Sequence, residues 1–432
     1  MVYQVKEFIK KILPPFFLDC YHFILSFLGA LLYGFPSKKL ILIGVTGTNG
    51  KTTTTEMIAK ILESAGHKVA LVNSLRFKIG AETKKNELRM TMPGRFFIQR
   101  FLKKAVKEGC QYAIVEVTSE GIKQHRHRFL KFEVAVFLNL APEHIEAHGS
   151  FENYKKAKGK LFKATKDIHI INVDDENANY FLSFPSFQKI LFSAKSKIPL
   201  LRKSEKLVLA ENAKARENEI SFEIDKTLFK IPIKGEFNVY NALASICVAI
   251  SQGIDLKTCK EALENFEGVP GRMEEVISKP FKVVVDYAFT PNALEKVYQT
   301  LKNLEPRTDN LKPKLICVLG ACGGGRDKWK RPVLGEIAAK YCDEIFVTNE
   351  DPYDEDPWEI IEQVAAGTKG KAKKILDRRE AIREALKVAK EGDVVAITGK
   401  GCEPSICMAQ GKKIPWDDRE VVREEFAKLK KP

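Results

Sequence analysis

The stretch GVTGTNGKTTTT, residues 44–55, constrains the fold of this chain more than any other part of the sequence. It follows the apolar run LILIGVT (40–46), which is typical of a buried strand, and it leads into a helical pattern over about 51–65. A glycine-containing turn between a strand and a helix N-terminus is the context in which backbone N–H groups bind phosphate. The sequence therefore predicts a nucleotide-binding loop at the carboxyl end of a strand.

The loop carries the side chains that phosphate chemistry needs. Gly47 and Gly50 allow the backbone to wrap around an anion, Lys51 can reach the terminal phosphates, and Thr52 offers a hydroxyl to Mg²⁺. The loop departs from the strict P-loop pattern at Val45, where a glycine is usual. The residues of the loop that we expect to bind ATP are Gly47, Thr48, Asn49, Gly50, Lys51, Thr52 and Thr53.

Short β-branched runs alternate with helical stretches along most of the chain, a pattern typical of a largely parallel sheet with crossover helices. In the first half the predicted strands are 40–46, 68–73, 112–117, 134–140 and 168–173, and the predicted helices are about 51–65, 95–108, 151–165 and 238–252. Between about 187 and 235 short alternating runs predict antiparallel β structure. A second α/β series has predicted strands at 282–287, 314–320, 344–349 and 393–399 and a last helix at about 418–429.

A chain of 432 residues is too long for one ordinary domain. The stretch EGVPGR (267–272) separates the two α/β series. We therefore expect a hydrophobic N-terminal segment (1–38), a central ATP-binding domain with the P-loop and a mostly parallel sheet (39–268), and a Rossmann-like C-terminal α/β domain (269–432).

Charge and cysteine usage narrow the class of partner. The formal net charge of +15 is spread along the sequence, which suits anionic small molecules. No basic run is interleaved with aromatic residues, so no nucleic-acid partner is expected. The nine cysteines include no C-x-x-C pair, which argues against a zinc ribbon and fits a reducing cytosol.

The segment FIKKILPPFFLDCYHFILSFLGALLYGF (8–35) has the composition of a signal peptide or a membrane span. Asp19 and His22 interrupt it, however, and a span needs about 20 apolar residues. The favoured interpretation is a helix packed on the next domain. The alternative is a helix at the membrane surface, assisted by the basic residues Lys6, Lys10 and Lys11.

Motifs in a fixed order over most of the chain resemble those of the Mur ligase family, ATP-dependent amide-forming enzymes of peptidoglycan and polyglutamate synthesis. After TGTNGKTTTT they are VEVTSEGI (115–122), NLAPEHIEAHGSFENYKKAKGKLF (139–162), KGEFNVYNALASI (234–246), VPGRMEEV (269–276), VVVDYAFTPNAL (283–294), GACGGGRDKWKRP (320–332) and ITGKGCEP (397–404). KQHR (123–126) and GRDKWKRP (325–332) most resemble the tripeptide-forming branch, MurE.

In the central domain this resemblance implies two Mg²⁺ ions and a modified lysine. The implied metal ligands are Thr52, Glu116 and His144. The implied contacts of the muramyl substrate are Ser119, Gln124 and Arg126, and the implied adenine-side contacts are Asn238 and Asn241. Lys158 matches the family's lysine that CO₂ carbamylates to N6-carboxylysine, although neighbouring lysines leave open that it is one solvated lysine among several.

In the C-terminal domain the resemblance implies that Arg272 reaches the nucleotide phosphates and that Asp286 lies near the ribose. The implied amino-acid-binding residues are Arg326, Glu350, Asp351, Tyr353, Gly399 and Glu403. The implied catalytic residues are Lys51, Lys158, Glu116, His144 and Arg272. Glu120, Phe289 and Cys402 stand where the family usually has histidine, so the sequence departs from the family pattern at these three positions.

The implied reaction is ATP-dependent addition of a free amino acid to a UDP-N-acetylmuramyl-dipeptide through an acyl phosphate, in the cytoplasm and by a monomer. The family usually has a complete UDP-binding domain before the P-loop, and segment 1–38 is short and apolar, so we expect that domain to be truncated or replaced. A lipid-linked acceptor, with the enzyme in peripheral contact with the membrane through 8–35, is therefore an alternative.

The stretch EIFVTNEDPYDEDPW (344–358) bears on the amino acid. In diaminopimelate-adding enzymes its counterpart reads DNPR, and the arginine binds the extra carboxylate. Here the aligned residues are Glu350, Asp351, Pro352 and Tyr353, and electrostatic attraction to the two carboxylates favours lysine or ornithine, with diaminopimelate second. We expect Asp354, Glu355 and Asp356 to cap the helix that follows.

Three other functions stay open on the sequence. A polyglutamate-type ligase would use the same loop, but the MurE-like motifs argue against it. A P-loop NTPase switch would release phosphate without an amino acid, and it leaves the second domain's motifs unexplained. A catalytically inactive binding protein is disfavoured because Lys51, Glu116, His144 and Lys158 are all present.

Overall fold

The computed structural model describes residues 15–195, 205–303 and 313–429. Its helices, α1 to α14 in chain order, are Pro15–Tyr33, Lys51–Ser64, Arg95–Lys107, Ser119–Lys123, Ile145–His148, Phe151–Ala164, Ala178–Leu182, Phe237–Ser251, Leu256–Glu264, Pro291–Lys302, Lys330–Tyr341, Pro357–Ala366, Arg378–Val388 and Asp418–Leu429. Short 3-10 turns lie at Pro36–Lys39 and Ala409–Gly411.

The first sheet has the strand order β4-β3-β2-β5-β1-β6-β7-β8-β9. Its strands β1 to β9 are Ile41–Thr46, Val69–Val72, Arg76–Ile79, Glu82–Lys85, Tyr112–Glu116, Val134–Phe137, Ile168–Asn172, Gln188–Ser193 and Glu205–Leu209. All neighbours pair in parallel except β3 and β4, which fold back at one edge. The central strand β1 is apolar on both faces because helices cover both sides of the sheet.

A second α/β sheet lies in the C-terminal part of the chain, with strand order β13-β14-β18-β15-β16-β17. These strands are, in chain order, Glu274–Ile277, Lys282–Asp286, Leu315–Leu319, Glu344–Thr348, Ala372–Ile375 and Val394–Thr398. Only the edge strand β13 pairs antiparallel within this described sheet. A small ribbon of β19 and β20, Ser405–Cys407 and Lys413–Pro415, follows it. The predicted α/β class with two sheets is confirmed.

The prediction of antiparallel structure over 187–235 is wrong in its first half. Strands β8 and β9 pair in parallel and extend the first sheet. Ile190, Leu191 and Phe192 are all buried, which is the pattern of a strand covered on both faces and not of an alternating one. The antiparallel sheet is formed by β10, β11 and β12, which are Glu211–Ala215, Ile220–Ile224 and Thr227–Ile231.

The N-terminal helix α1 packs along α3, as the favoured interpretation expected. Ser26 and Ala30 are buried in this contact, and the Ser26 hydroxyl donates to the carbonyl of His125 at 2.8 Å. Large apolar side chains of α1 remain exposed: Phe16, Phe17, Tyr21, Phe23, Ile24, Phe27, Leu28, Leu31 and Leu32. Of these, Phe23 and Phe27 also contact the Phe129 ring. By length and composition Phe16–Tyr33 could cross a membrane. Residues 8–14, with Lys10 and Lys11, and Lys6 lie outside the described residues.

Candidate active site

A cavity of about 1490 Å³ lies where the carboxyl ends of the two sheets face each other. The P-loop after β1, Glu116 at the end of β5 and Asp286 at the end of β14 all contribute to its wall. In parallel sheets the carboxyl ends of the strands are the usual place for ligands. Of the residues predicted for the site, the cavity wall includes Thr48, Asn49, Gly50, Lys51, Thr52, Thr53, Glu116, Ser119, Gln124, Arg126, His144, Lys158, Asn238, Asn241, Arg272, Asp286, Arg326, Tyr353 and Glu403.

The P-loop is held in shape from outside the motif. Asn139 accepts a hydrogen bond from the Asn49 N–H at 2.9 Å and donates one to the Asn49 carbonyl at 3.1 Å. Gly50 has φ +81°, and a Cβ there would lie 2.2 Å from the Asn241 side-chain oxygen, so another residue would strain the backbone and displace Asn241. The Lys51 ammonium donates to the carbonyls of Gly47 and Thr48 at 3.0 and 2.9 Å. Sequence reasoning did not assign Asn139 a role, although it opens the NLAPEH motif.

Glu116 is fixed beside the first turn of the P-loop helix. Its Oε2 accepts hydrogen bonds from the Thr52 hydroxyl and from the Ser74 N–H and hydroxyl, each at 3.0 Å. Within the described part of the chain no donor contacts Oε1. A carboxylate and a hydroxyl this close form a suitable oxygen pair for Mg²⁺, which takes its remaining ligands from water and phosphate. Ser74 was missed because no motif contains it.

His144 lines the same cavity as the Thr52–Glu116 pair. Burial, and then the positive charge of Arg326, lower its pKa to about 2, so the imidazole is neutral and its ring nitrogen can bind a metal. In the described ranges no group of three or more His, Cys, Asp or Glu side chains could hold a metal by itself. The residues therefore fit Mg²⁺ bound partly through ATP phosphate oxygens.

Lys158 differs from the other lysines of its helix. It is 1% exposed, whereas Lys156 and Lys160 are exposed. Its Nζ donates to the Gly47 carbonyl at 2.8 Å and lies 4.8 Å from the centre of the Tyr154 ring. Burial, and then repulsion from the Lys51 ammonium, put the pKa of Lys158 well below its usual value. The alternative that Lys158 is one solvated lysine among several is wrong.

The residues expected at the muramyl substrate lie together on one side of the cavity. Arg126 Nη2 donates to Gln124 Oε1 at 2.7 Å, and Ser119 is buried beside them at the start of helix α4. Burial, and then the charge of Arg95, lower the pKa of Arg126 to about 10. A guanidinium held in this way remains positive at neutral pH and can bind an anionic group.

Asn238 and Asn241 are hydrogen-bonded to each other on helix α8. Asn241 Nδ2 donates to Asn238 Oδ1 at 2.8 Å, and Asn241 Oδ1 accepts from the Thr54 hydroxyl at 3.3 Å. Asn238 also donates to the Lys234 carbonyl at 2.7 Å. The pair thus joins this helix to the P-loop helix, and its contact with adenine stays a prediction.

Arg272 and Asp286 lie at the junction of the domains. The Arg272 guanidinium lies 4.3 Å from the centre of the Tyr287 ring, a cation–π contact that holds it over the cavity. The Asp286 carboxylate accepts from the N–H groups of Met273 and Ala288 at 2.7 and 2.6 Å, and burial raises its pKa. Asp286 therefore fixes the turn that carries Arg272, and its place near the ribose stays a prediction.

Arg326 lines the cavity from the C-terminal domain. Its guanidinium has no hydrogen-bond or ion-pair partner among the described residues, unlike the nearby Arg331, which binds Glu355 at 2.9 Å. The neighbouring Asp327 accepts from the N–H groups of Ile145 and Glu146, at 3.1 and 2.9 Å, across the domain junction. An anchored loop thus presents a planar cation suited to a carboxylate.

The acidic turn does not present uncompensated negative charge to the cavity. Asp351 accepts from Lys400 Nζ at 3.0 Å and from Arg89 Nη2 at 2.6 Å, and these cations lower its pKa despite burial. Glu350 is 1% exposed, and burial raises its pKa. Neither carboxylate lines the cavity, and neither does Gly399. The electrostatic argument for a cationic amino acid is corrected accordingly.

The prediction for the following acidic residues is correct for one of the three. Asp356 caps helix α12 by accepting from the Trp358 N–H at 2.9 Å. Asp354 instead accepts from the Gln410 N–H at 2.7 Å. Glu355 pairs with Arg331. The Arg331 guanidinium is buried, and a buried charge without a counter-ion costs more free energy than an uncapped helix end.

A buried ion pair holds the two domains together beside the site. Lys330 Nζ lies 2.7 Å from Glu143 Oε1, and the two side chains are 2% and 3% exposed. Lys330→Met would leave the carboxylate buried without a cation, which costs about 3–5 kcal/mol. This cost destabilises the arrangement in which the two domains are in contact. We therefore expect the domains to separate more often, with a larger radius of gyration by small-angle X-ray scattering and slower turnover.

The matched control for this closure prediction is Lys340→Met, on the same helix. The exposed Lys340 pairs with the half-buried Glu295 in its own domain, and its replacement should leave the scattering unchanged. The double variant Glu143→Leu, Lys330→Met removes both charges and should recover compaction. A Lys330→Met protein with the scattering curve of the unsubstituted chain would contradict the prediction.

Comparison with known proteins places this geometry in a family. Residues 45–249 match the Mur ligase middle domain, and residues 271–401 match the Mur ligase glutamate ligase domain. The UDP-N-acetylmuramoyl-L-alanyl-D-glutamate--2,6-diaminopimelate ligase of Syntrophomonas wolfei is 38% identical over 420 residues, covering 93% of this chain and 81% of that protein. The UDP-N-acetylmuramyl-tripeptide synthetase of a Roseiflexus species is 35% identical over 430 residues, with the same coverage of 93% and 81%.

A solved structure gives the same result for the fold. The structure of a UDP-N-acetylmuramoyl-L-alanyl-D-glutamate--2,6-diaminopimelate ligase is similar with a TM-score of 0.58 and 29% identity. The match covers 90% of this chain and 79% of that one. On the family matches, the sequence identities and this fold, the chain belongs to the Mur ligase family.

Proposed function

We propose that this protein is a cytoplasmic, ATP-dependent ligase that adds a free amino acid to UDP-N-acetylmuramyl-dipeptide during peptidoglycan synthesis. The observation that carries the proposal is one cavity lined both by the P-loop and by Arg326, whose guanidinium has no partner among the described residues. Lys51 and the Thr52–Glu116 pair lie on the central side of this cavity, and Arg326 lies on the other. The names of the relatives at 38% and 35% identity support the same reaction.

The reaction has two chemical steps. A carboxylate oxygen of the dipeptide attacks the γ-phosphorus of ATP, the bond to the β-phosphate oxygen breaks, and an acyl phosphate and ADP form. The amine of the free amino acid then attacks the acyl carbon, and the tetrahedral intermediate expels phosphate and loses a proton. Mg²⁺, when bound at Thr52, Glu116 and His144, would neutralise the crowded phosphate charge.

The protein's own groups hold the reactants and exclude water. Lys51 and the loop N–H groups bind phosphate oxygens, and Arg272 adds positive charge from the junction of the domains. Arg326 orients the amino acid by its carboxylate. Because an acyl phosphate hydrolyses readily, the contacts that close the domains, Lys330 with Glu143 and Asp327 with the start of α5, protect the intermediate.

We propose further that Lys158 is carbamylated. A neutral amine attacks CO₂, a carbon–nitrogen bond forms, and one proton is lost, which leaves an anionic carbamate. Burial, and then Lys51, lower the pKa of Lys158, which favours the neutral amine, and the nearby Lys51 ammonium would stabilise the carbamate. The carbamate would add a negative charge to the cavity that the Thr52–Glu116 pair also lines.

The identity of the amino acid belongs to the proposal. The absence of an arginine at Tyr353 favours lysine or ornithine, whereas the neutralised acidic turn and the relatives' names favour diaminopimelate. Phosphate release should be measured with each amino acid and with UDP-linked or lipid-linked dipeptide. Release that depends on both an amino acid and the UDP-linked dipeptide supports the ligase, and release without any amino acid would support an NTPase switch instead.

We also propose that the exposed face of α1 contacts an anionic membrane surface. Cations flank this apolar face: Lys38 Nζ lies 5.0 Å from the Phe35 ring centre, Lys103 Nζ 5.9 Å from the Tyr33 ring centre, and the Arg128 guanidinium 5.9 Å from the Phe23 ring centre. An apolar helix face bordered by basic residues is the composition of a helix at a lipid interface.

Ile24→Glu, Leu28→Glu is expected to weaken binding to vesicles that contain phosphatidylserine by roughly a hundredfold, because the two exposed side chains would together contribute about 3 kcal/mol on burial in lipid. Vesicle flotation measures this binding, and activity on a soluble acceptor should persist. Leu228→Glu, at another exposed leucine, is the control. If the unsubstituted protein does not float, or if the double variant changes a dimer to a monomer instead, the membrane assignment is wrong.

A further inference from the structure

Arg89 crosses from the central domain into the C-terminal domain. It follows strand β4, has φ +53°, and its side chain is 10% exposed. Its Nη2 donates to Asp351 Oδ2 at 2.6 Å and also binds Glu403 Oε2. No sequence motif of the family resemblance includes it, yet it lines the same cavity as Arg326, Tyr353 and Glu403.

The charges around Arg89 are balanced in the closed protein. Two carboxylates, Asp351 and Glu403, face two cations, Arg89 and Lys400. Lys400 is fully buried and belongs to the same domain as both carboxylates, so its charge is always present. Arg89 is therefore the cation that brings this cluster to neutrality, and it does so only when the central domain is in contact.

Arg89 retains an unused donor. Its Nε–H is buried and has no acceptor among the described residues, although the rest of the guanidinium is bound. Such a donor is costly to leave without a partner. A carboxylate that entered this part of the cavity could supply an acceptor once the Arg89 guanidinium turned toward it, and Arg326 remains available for a second carboxylate of the same ligand.

We propose that Arg89 is a specificity-determining residue that admits an amino acid with a second carboxylate at the far end of its side chain. The inference rests on the proposed ligase function. An amino acid whose far end carries both an ammonium and a carboxylate, such as 2,6-diaminopimelate, matches a balanced cluster of two anions and two cations. Lysine lacks the carboxylate, and its ammonium alone would meet a cluster whose negative charge is already neutralised.

The test is the ratio of kcat/KM for diaminopimelate to kcat/KM for lysine, with saturating ATP and UDP-linked dipeptide. Arg89→Met leaves two carboxylates facing Lys400 alone, so the pocket becomes net negative. We expect the ratio to fall by roughly ten- to a hundredfold, the usual effect of losing a charged hydrogen bond. Arg89→Lys keeps the positive charge but lacks the planar guanidinium, so its ratio should lie between those of Arg89→Met and the unsubstituted protein.

The matched control is Arg76→Met. Arg76 lines the same cavity, but it pairs with Glu56 within the central domain. Its replacement should therefore leave the ratio unchanged. If Arg89→Met lowers kcat/KM by the same factor for both amino acids, Arg89 only holds the domains together and does not select the amino acid. That result would overturn the inference. A wild-type ratio that favours lysine would also overturn it and leave the ligase function intact, whereas absence of any amino-acid-dependent turnover would overturn both.

Discussion

Replacement of Lys158 by alanine is expected to lower ligase turnover by roughly a thousandfold, the scale for losing one preorganised charge in an active site. The variant removes the amine proposed to react with CO₂, while Lys51 and the Thr52–Glu116 pair stay in place. Because the lost group would be an anion that orients phosphate and metal, the defect should appear in kcat more than in the KM for the amino acid. Phosphate release with UDP-linked dipeptide measures it.

A small carboxylate in solution should partly restore the Lys158→Ala enzyme, since acetate or formate can occupy the place of the missing carbamate. The intact mass of the unsubstituted protein should also carry one added CO₂, lost on acidification. Lys160→Ala, at an exposed lysine of the same helix, is the control and should be active without rescue. If Lys158→Ala turns over at the normal rate, or if no added CO₂ is found on Lys158, the carbamylation proposal is wrong.

The pH dependence of the modification follows from the buried amine. Burial, and then Lys51, lower the pKa of Lys158 in the folded protein, so the unfolded chain binds a proton that the folded one does not. Unmodified Lys158 therefore costs stability below its usual pKa, and the cost decreases as pH rises toward that value. In the folded protein, the fraction of Lys158 that carries CO₂ should decrease as pH falls through the lowered pKa, because the protonated amine cannot attack CO₂.

Much of the site could be predicted from the sequence because its chemistry lies in short, local motifs. The P-loop, Glu116 and Lys158 each lie at the end of a strand or on a helix whose pattern is evident. The charge state of the acidic turn could not be predicted in this way. Arg89 is 262 positions away from Asp351 along the chain, and no spacing rule connects them.

The parallel pairing of β8 and β9 was missed for a related reason. Local alternation indicates a strand, but the direction of pairing depends on which neighbours the fold brings together. The same holds for Ser74 and Asn139, ordinary polar residues that gain a role only through contact with Glu116 and with Asn49. The sequence thus predicted the position of most motif residues at the cavity, with exceptions that include Glu350, Asp351 and Gly399. It did not predict contacts between residues that are distant in sequence.

Replacement of Lys51 by methionine is expected to affect two measurements at once. Turnover should fall by roughly a thousandfold, because the loop would lose the charge proposed to bind the terminal phosphates. Carbamylation of Lys158 should also fall, since Lys51 both lowers the pKa of that amine and lies close enough to stabilise the carbamate. ATP binding by calorimetry and intact mass at fixed CO₂ measure the two effects separately.

Lys60→Met is the matched control for Lys51→Met, because Lys60 lies on the same helix and lines the same cavity without contacting the loop carbonyls. It should bind ATP and carry CO₂ as the unsubstituted protein does. If the Lys51→Met protein does not bind ATP but carries the normal amount of CO₂, modification of Lys158 does not depend on Lys51. Loss of both together would mean that the P-loop lysine serves the nucleotide directly and also indirectly, through the electrostatic environment of Lys158.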